Sequence, residues 1–342
     1  MGRHRISNIE LLRIISMFFV LVVHSCSLSL GFPTQELTTF APYSTLGTFF
    51  LSSLSVVCVD VFVIISGWFG ITFKGFRLCS LLFQVLFYSC VVLLVSFFAF
   101  EDLTIDSNCI KTFLLLNGND YWFVKSYILL MLLAPMINSF LVSSDEMKIR
   151  HFLIVFFIIQ TIFAWLSIDG ILEFGGGYSV LSFLGLYVLI RYIRLYWYEE
   201  LSFSSSQYFF VYFLIAIIQT VLGFCVTRLG YPIAGRLFTY TNPLVIIQSV
   251  ALVLAFASLK PFHSKFVNWM AASSLSVYLL HAHELVLRPH FGPFVLNLFQ
   301  QNSYPIFLFY TLCFLIAVFF VSVLLDQIRI LFWNFLFKLY QK

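Results

Sequence analysis

Residues 8–26 read NIELLRIISMFFVLVVHSC, an apolar stretch long enough to cross a bilayer as one α-helix. Three ionisable residues interrupt it, Glu10, Arg13 and His24. Ionisable groups inside a bilayer are costly, and they usually face the interior of a helix bundle. The stretch therefore predicts a membrane helix with a buried polar face.

The composition of the whole chain extends this reading. Of its 342 residues, 61% are hydrophobic and 10% are charged, whereas soluble domains carry about 25% charged residues. The net charge is +4, but the basic residues are scattered in short loops and form no patch of the kind that binds nucleic acid. We expect an all-α polytopic membrane helix bundle whose surroundings are lipid, with no nucleic-acid partner.

About ten apolar stretches, separated by polar or Gly/Pro-containing turns, have the length of a transmembrane helix. They lie at 8–30, 45–69, 77–100, 121–142, 150–168, 178–197, 207–227, 241–259, 271–290 and 304–327. The ninth is polar for a membrane helix, so it requires burial inside the bundle. Residues of about 328–342 predict a C-terminal amphipathic helix at the membrane interface.

Lysine and arginine are distributed unevenly between alternate loops of this map, and cytoplasmic loops are enriched in them. One side holds Arg3, Arg5, Lys74, Arg77, Lys148, Arg150, Arg191, Arg194, Lys260, Lys265, Arg329, Lys338 and Lys342, and the other holds Lys111, Arg228, Arg236 and Arg288. The asymmetry predicts that both termini are cytoplasmic. Because no repeat or linker divides the chain, we expect 1–342 to be a single multi-pass domain of the cytoplasmic (inner) membrane.

The polar residues of the first helix share one face. Arg13 and His24 are eleven residues apart, which is about three helical turns and about 16 Å along the axis, and Glu10 lies at i−3 from Arg13. Glu10 and Arg13 could form an ion pair while His24 bonds a neighbouring helix. Alternatively, the face could be a functional track, in which Arg13 holds the phosphates of an acyl-CoA and His24 transfers protons.

Four stretches in order along the chain resemble acyltransferase family 3. They are IELLRIISMFFVLVVH, with the acidic residue, Arg13 and His24; VDVFVIISGWFG, with Asp60, Phe62, Ser66 and Gly67; YWFVKSYILLMLLAP; and SLSVYLLH, which ends at His281. The similarity spans nearly the whole chain, without the extracytoplasmic hydrolase-like domain that some relatives append, so a stand-alone enzyme is expected. The continuation HAHEL after His281 departs from the family pattern and leaves the roles of His283 and Glu284 open.

The resemblance implies an acyl-CoA-dependent O-acyltransferase, which moves groups other than aminoacyl groups. An acyl group, usually acetyl, passes from cytoplasmic acyl-CoA to a hydroxyl of a cell-surface polysaccharide, its lipid-linked precursor or a related acceptor. Acetyl-CoA or another acyl-CoA is the co-substrate, and no permanently bound cofactor is expected. His24 is then the base or the acyl carrier, Arg13 positions the donor and Glu10 holds Arg13.

Further residues are candidates for supporting roles. Asp60 could orient His24 or cap its own helix, and Ser66 belongs to the second family stretch. His281 and Glu284, with Arg288 one turn further, predict a polar face on the ninth helix that could line the acceptor channel. The HAHE spacing does not match HExxH, so we predict no metal site.

Aromatic residues complete the candidate site. Tyr121, Trp122 and Lys125 open the fourth predicted span, where an aromatic belt with a snorkelling lysine is the common arrangement. Because Trp and Tyr also stack on sugar rings, these residues and Tyr278 are candidates for the acceptor channel.

Two other function classes fit a polytopic chain. A polysaccharide or small-molecule exporter could also use a buried polar track, but neither an inverted repeat nor matching broken helices are visible. A sensor or scaffold could use the charged residues only to pin helices together. The oligomeric state, the acceptor and the acyl group are left open by the sequence.

Overall fold

The computed structural model describes residues 6–99, 111, 121–167, 174–231 and 233–340. Every regular element in these residues is a helix. Nine helices among them are long and apolar enough to cross a membrane: Ser7–Leu30, Pro42–Phe69, Gly75–Phe98, Trp122–Ser143, Glu146–Leu166, Val180–Trp197, Ser205–Arg228, Ala234–Ala257 and Tyr304–Leu336. The prediction of an all-α polytopic membrane bundle is confirmed.

The α-helices are numbered here in chain order. They are α1 Ser7–Val23, α2 Gln35–Phe40, α3 Pro42–Ser55, α4 Cys58–Phe69, α5 Gly75–Ala99, α6 Trp122–Ser143, α7 Glu146–Gln160, α8 Val180–Tyr192, α9 Ser205–Arg228, α10 Pro243–Ala257, α11 Lys265–Ala272, α12 Ser274–His281, α13 Glu284–Val286, α14 Gly292–Gln301 and α15 Tyr304–Tyr340. Four π-helical segments continue α-helices, at His24–Leu30, Thr161–Leu166, Ile193–Trp197 and Leu287–Phe291, and 3-10 turns lie at Gly175–Gly177 and Ala234–Phe238.

Polar side chains define several helix starts. Asp145 precedes α7 and accepts a hydrogen bond from the backbone N–H of Lys148 at 2.8 Å. Thr34, Ser179 and Ser264 cap their helices in the same way, and Asn242 caps α10 with Pro243 at the first helical position. These caps satisfy backbone N–H groups that have no partner within the helix.

The chain divides into two compact units. The first consists of the described residues of Met1–Ser27, Gly31–Phe73 and Phe123–His263. Within it, α1 packs against α3, α4 and α10, α4 packs against α8 and α10, and α9 packs against α3 and α10. Side chains such as Leu12, Phe49, Ile64, Phe183 and Val245 are fully buried there.

The second unit consists of Leu28–Leu30 and the described residues of Lys74–Trp122 and Ser264–Lys342. Here α12 packs against α5 and α15, and α14 packs against α15. Tyr88, Leu279 and Val323 lie in its core.

The predicted ninth span, 271–290, is not one helix. The chain forms α12, which ends at His281, then the three-residue α13 and the π-helical Leu287–Phe291. Proline lacks the N–H that a continuous helix needs, and Pro289 falls inside this last segment. The described residues thus contain nine candidate spans where the sequence predicted about ten. Because termini on one side require an even number of crossings, the cytoplasmic location of both remains a prediction.

The chain's last helix is longer than predicted. The expected span 304–327 and the expected interfacial helix of about 328–342 join in α15 without a break as far as Tyr340, and residues 341–342 lie outside the described part.

Candidate functional site

The ion pair that the sequence spacing predicted is formed on α1. Arg13 Nη1 donates to Glu10 Oε1 at 3.2 Å and to Oε2 at 3.4 Å. The Glu10 side chain is 9% exposed and that of Arg13 is 34% exposed, so the pair lies partly inside the bundle. Glu10 therefore fixes the guanidinium and offsets its charge.

His24 stands where the backbone changes from α-helix to π-helix. It is the first residue of His24–Leu30 and it is half-buried. Three other π-helical segments occur in the described residues, so the change of helix type is not specific to His24. Residues 13–23 keep α geometry, so Arg13 and His24 lie on one continuous helix, about 16 Å apart along its axis.

Asp60 lies in α4 and is 1% exposed. Neither of its carboxylate oxygens accepts a hydrogen bond from any described residue. The two roles that the sequence suggested, orienting His24 and capping its own helix, both need such a bond, and neither bond is formed. Asp60 is instead an unpaired polar group in the core of the first unit, where desolvation is costly.

The second and third family stretches meet in the first unit. The Ser66 hydroxyl donates to the carbonyl of Phe62 at 2.9 Å and lies 3.0 Å from the hydroxyl of Tyr127 on α6. The rings of Phe62 and Phe123 are 6.0 Å apart. Ser66 thus joins α4 to α6, and Tyr127 is a partner that the sequence analysis did not single out. Lys125, on the same helix, is half-buried.

Close packing explains the glycine of the second stretch. A Cβ at Gly67 would lie 3.1 Å from the carbonyl oxygen of Tyr187 on α8, so only glycine allows α4 and α8 to approach this closely. Beyond the end of α4, the hydroxyl of Tyr187 accepts from the N–H of Ile71 and donates to Asn138 Oδ1, both at 2.9 Å. Asn138 Nδ2 donates back to the Ile71 carbonyl at 3.0 Å, which fixes the chain at this point.

The aromatic candidates gather in the second unit. Tyr121 is buried with a φ of 48°, and its hydroxyl donates to the carbonyl of Leu279 at 2.5 Å. Its ring lies 5.8 Å from the rings of Tyr278 and His283. A non-glycine residue with positive φ is strained and persists only where its surroundings hold it. The adjacent Trp122 is half-buried.

The predicted polar face of His281 and Glu284 is not formed. His281 is buried at the end of α12, and its Nδ1 donates to the Val277 carbonyl at 2.5 Å. Glu284 begins a separate helix and is exposed, as is Arg288. The helix breaks between them because His283 turns and caps α13, its Nδ1 accepting from the N–H of Leu285 at 3.2 Å.

An ion pair inside α15 was missed by the sequence analysis. Asp326 accepts two hydrogen bonds from Arg329, at 2.9 Å and 2.8 Å, and both residues are buried. The hydroxyl of Tyr88 donates to the same carboxylate at 2.7 Å. Arg329 was assigned to a cytoplasmic loop, although the i, i+3 spacing of opposite charges in an apolar run would have indicated the pair.

No group of three or more His, Cys, Asp or Glu side chains in the described residues could hold a metal ion. The family model for the acyltransferase domain of acyltransferase family 3 matches residues 6–327. Comparisons with curated proteins and with solved structures gave no match.

Proposed function

The chain belongs to acyltransferase family 3 and is a membrane acyltransferase, and on this basis we propose that it is an O-acyltransferase of the cytoplasmic (inner) membrane. The donor is cytoplasmic acyl-CoA, most often acetyl-CoA. The acceptor is a hydroxyl of a cell-surface polysaccharide, its lipid-linked precursor or a related molecule.

The arrangement of α1 supports this proposal. One continuous membrane helix carries a carboxylate-held arginine and, about 16 Å further along the axis, a half-buried histidine at an α-to-π transition. An extended pantetheine arm joins the phosphates of CoA to its thioester over a distance of this order. Arg13 is suited to the phosphate end because its guanidinium is planar and always charged.

The chemistry follows from the reactivity of a sugar hydroxyl, which is a poor nucleophile at neutral pH. His24 removes the hydroxyl proton while the oxygen attacks the thioester carbonyl carbon, and the carbon–sulfur bond then breaks to release CoA. In a second order of events, the imidazole first takes the acyl group and CoA leaves, and the acceptor hydroxyl then attacks the acyl-histidine. Release of about one equivalent of CoA per enzyme in the absence of acceptor would identify the second order, since only that order breaks the carbon–sulfur bond before the acceptor hydroxyl attacks.

Supporting roles are proposed for the remaining candidates. Ser66 positions α4 against α6 through Tyr127. Tyr121 and Tyr278 pack against each other in the second unit, where they and the adjacent Trp122 are proposed to contact the acceptor. In the first unit, Lys125 is proposed to contribute to acceptor binding.

The direct test is acetyl transfer by purified protein in detergent. Protein with His24→Ala should lose about 10²- to 10⁴-fold in transfer of radiolabelled acetyl groups from acetyl-CoA, as expected for removal of a general base, and Arg13→Ala should lose activity through weaker donor binding. His151→Ala is the matched control, since His151 is an exposed histidine on α7. Wild-type transfer by folded His24→Ala protein would show that the base lies elsewhere.

The acceptor is identified by mass spectrometry of surface glycans from cells with and without the protein. A mass difference of one acyl group on a sugar residue is the expected result. An unchanged glycan profile, together with substrate movement across sealed vesicles, would instead indicate an exporter.

A further inference from the structure

Arg191, in the last turn of α8, is a cation without an internal counter-ion. Its Nε atom is buried and unpaired, and its guanidinium forms neither an ion pair nor a hydrogen bond within the described part of the chain. Arg13 differs, because Glu10 offsets its charge. A partly desolvated guanidinium with unused donors is costly unless an anion satisfies it.

The guanidinium of Arg191 lies beside the backbone at the end of α4. Gly70, with a φ of 76°, follows the last residue of α4, and a Cβ there would lie 3.4 Å from Arg191 Nη1 and 3.7 Å from Cζ. Glycine therefore places no side chain against this part of the guanidinium. The next residue, Ile71, is held by Tyr187 and Asn138, so the backbone that follows Gly70 is fixed.

A second arginine, Arg194, donates a hydrogen bond at the end of α4. Arg194 Nη1 donates to the carbonyl of Trp68. Its Cζ lies 5.0 Å from the centre of the Trp68 ring and 5.7 Å from that of Phe69. A cation at a helix C-terminus is favourable, and Arg194 supplies it. Capping of α4 thus accounts for Arg194 and leaves the donors of Arg191 unused.

Two carboxylates of the neighbouring segment are already engaged. Glu146 accepts from the hydroxyl of Tyr192 at 3.1 Å, and Asp145 pairs with Lys148 at 3.1 Å. Arg191 lies where α4 and α8 pack together. Leu195, one helical turn further along the chain, is 50% exposed. Glu199 and Glu200, which follow α8, are exposed and form no ion pair with Arg191, so no carboxylate of the described residues offsets its charge.

We propose that Arg191 binds a phosphate group and that this phosphate belongs to the acyl-CoA donor. This inference rests on the proposed function. Phosphate is favoured because a guanidinium fork offers it two parallel hydrogen bonds. The same chemistry would bind the phosphate of a lipid headgroup, but the location of Arg191 at a helix seam, on the side predicted to be cytoplasmic, favours the soluble donor.

The test measures binding of CoA, 3′-dephospho-CoA and pantetheine to protein in phosphatidylcholine nanodiscs by titration calorimetry. Arg191→Gln should weaken CoA binding by about 10- to 100-fold, because a hydrogen-bonded charge contact is removed, and it should leave pantetheine binding unchanged. Arg191→Lys should lose part of this affinity, since it keeps the charge without the fork. Lys265→Gln, at an exposed lysine, is the control for loss of one positive charge.

The outcomes separate the hypotheses. Wild-type affinity of Arg191→Gln for CoA would overturn the inference and leave the proposed function intact. A wild-type protein that neither binds CoA nor transfers acetyl groups would refute the proposed function itself. Unchanged CoA binding, with less phosphatidylglycerol retained by the variant when it is released from mixed-lipid nanodiscs and weighed by native mass spectrometry, would assign Arg191 to a lipid headgroup and overturn the donor assignment. If Arg191→Gln does not fold, the ratio of CoA affinity to pantetheine affinity is measured for Arg191→Lys and compared with that of the wild type. An unchanged ratio refutes the inference, and a reduced ratio supports it.

Discussion

The buried ion pair of α15 should contribute strongly to the stability of the second unit. The Asp326 side chain is 0% exposed and that of Arg329 is 9% exposed. Asp326 accepts from Arg329 twice, from Tyr88 at 2.7 Å and from Gln84 at 3.4 Å. Removing either charge leaves the other buried without a counter-charge.

The expected magnitude follows from these contacts. Breaking a buried pair by removing one partner typically costs about 3–5 kcal/mol. The loss in unfolding free energy for Arg329→Gln should lie at the lower end of this range, about 3 kcal/mol, because Tyr88 and Gln84 still donate to the carboxylate. Asp326→Asn should cost as much or more, since the guanidinium then has only a neutral acceptor. The double variant carries two neutral amides in place of the two charges. Its loss in unfolding free energy should be smaller than the sum of the two single losses, by about 2 kcal/mol or more.

Reversible unfolding in mixed micelles, titrated with a denaturing detergent, measures these losses in a double-mutant cycle. Arg288→Gln is the control, because Arg288 is an exposed arginine of the same unit. Additive losses in the double variant, or an Arg329→Gln loss no larger than the control, would refute the view that the pair acts as a buried unit.

Two further substitutions test local packing and capping. Gly67→Ala places a methyl group against the backbone of Tyr187 and should cost about 1–3 kcal/mol in thermal unfolding, while Gly75→Ala, which meets nothing within 4 Å, should be harmless; equal losses would exclude the steric explanation. The pKa of Asp145 is lowered by the backbone N–H of Lys148 and by the Lys148 side chain, so its cap contributes fully above the ordinary Asp pKa of about 4 and is lost as the pH falls through the lowered value. Asp145→Ala should therefore destabilise α7 at neutral pH and lose this effect in acid, and a pH-independent difference in helix content by circular dichroism would contradict this.

Hydrophobic runs were sufficient to predict the class of fold, because a bilayer forces backbone groups to bond within each segment. Nine of the ten predicted spans correspond to apolar helices of the described residues. The prediction failed at 271–290, where α12 ends at His281 and the His283 side chain caps a new helix. The Glu10–Arg13 pair was predictable too, because both residues lie on one helix at i, i+3.

By itself, the sequence determined that this chain is a membrane helix bundle whose first helix places Glu10, Arg13 and His24 on one face, since helical periodicity fixes which residues of a single helix are neighbours. The tertiary structure alone decided that Asp60 is buried without a hydrogen-bond partner, that Ser66 meets Tyr127 and that Arg191 lies beside Gly70. These contacts join residues that are distant in the chain, and they depend on how closely two helices approach, which no local pattern specifies.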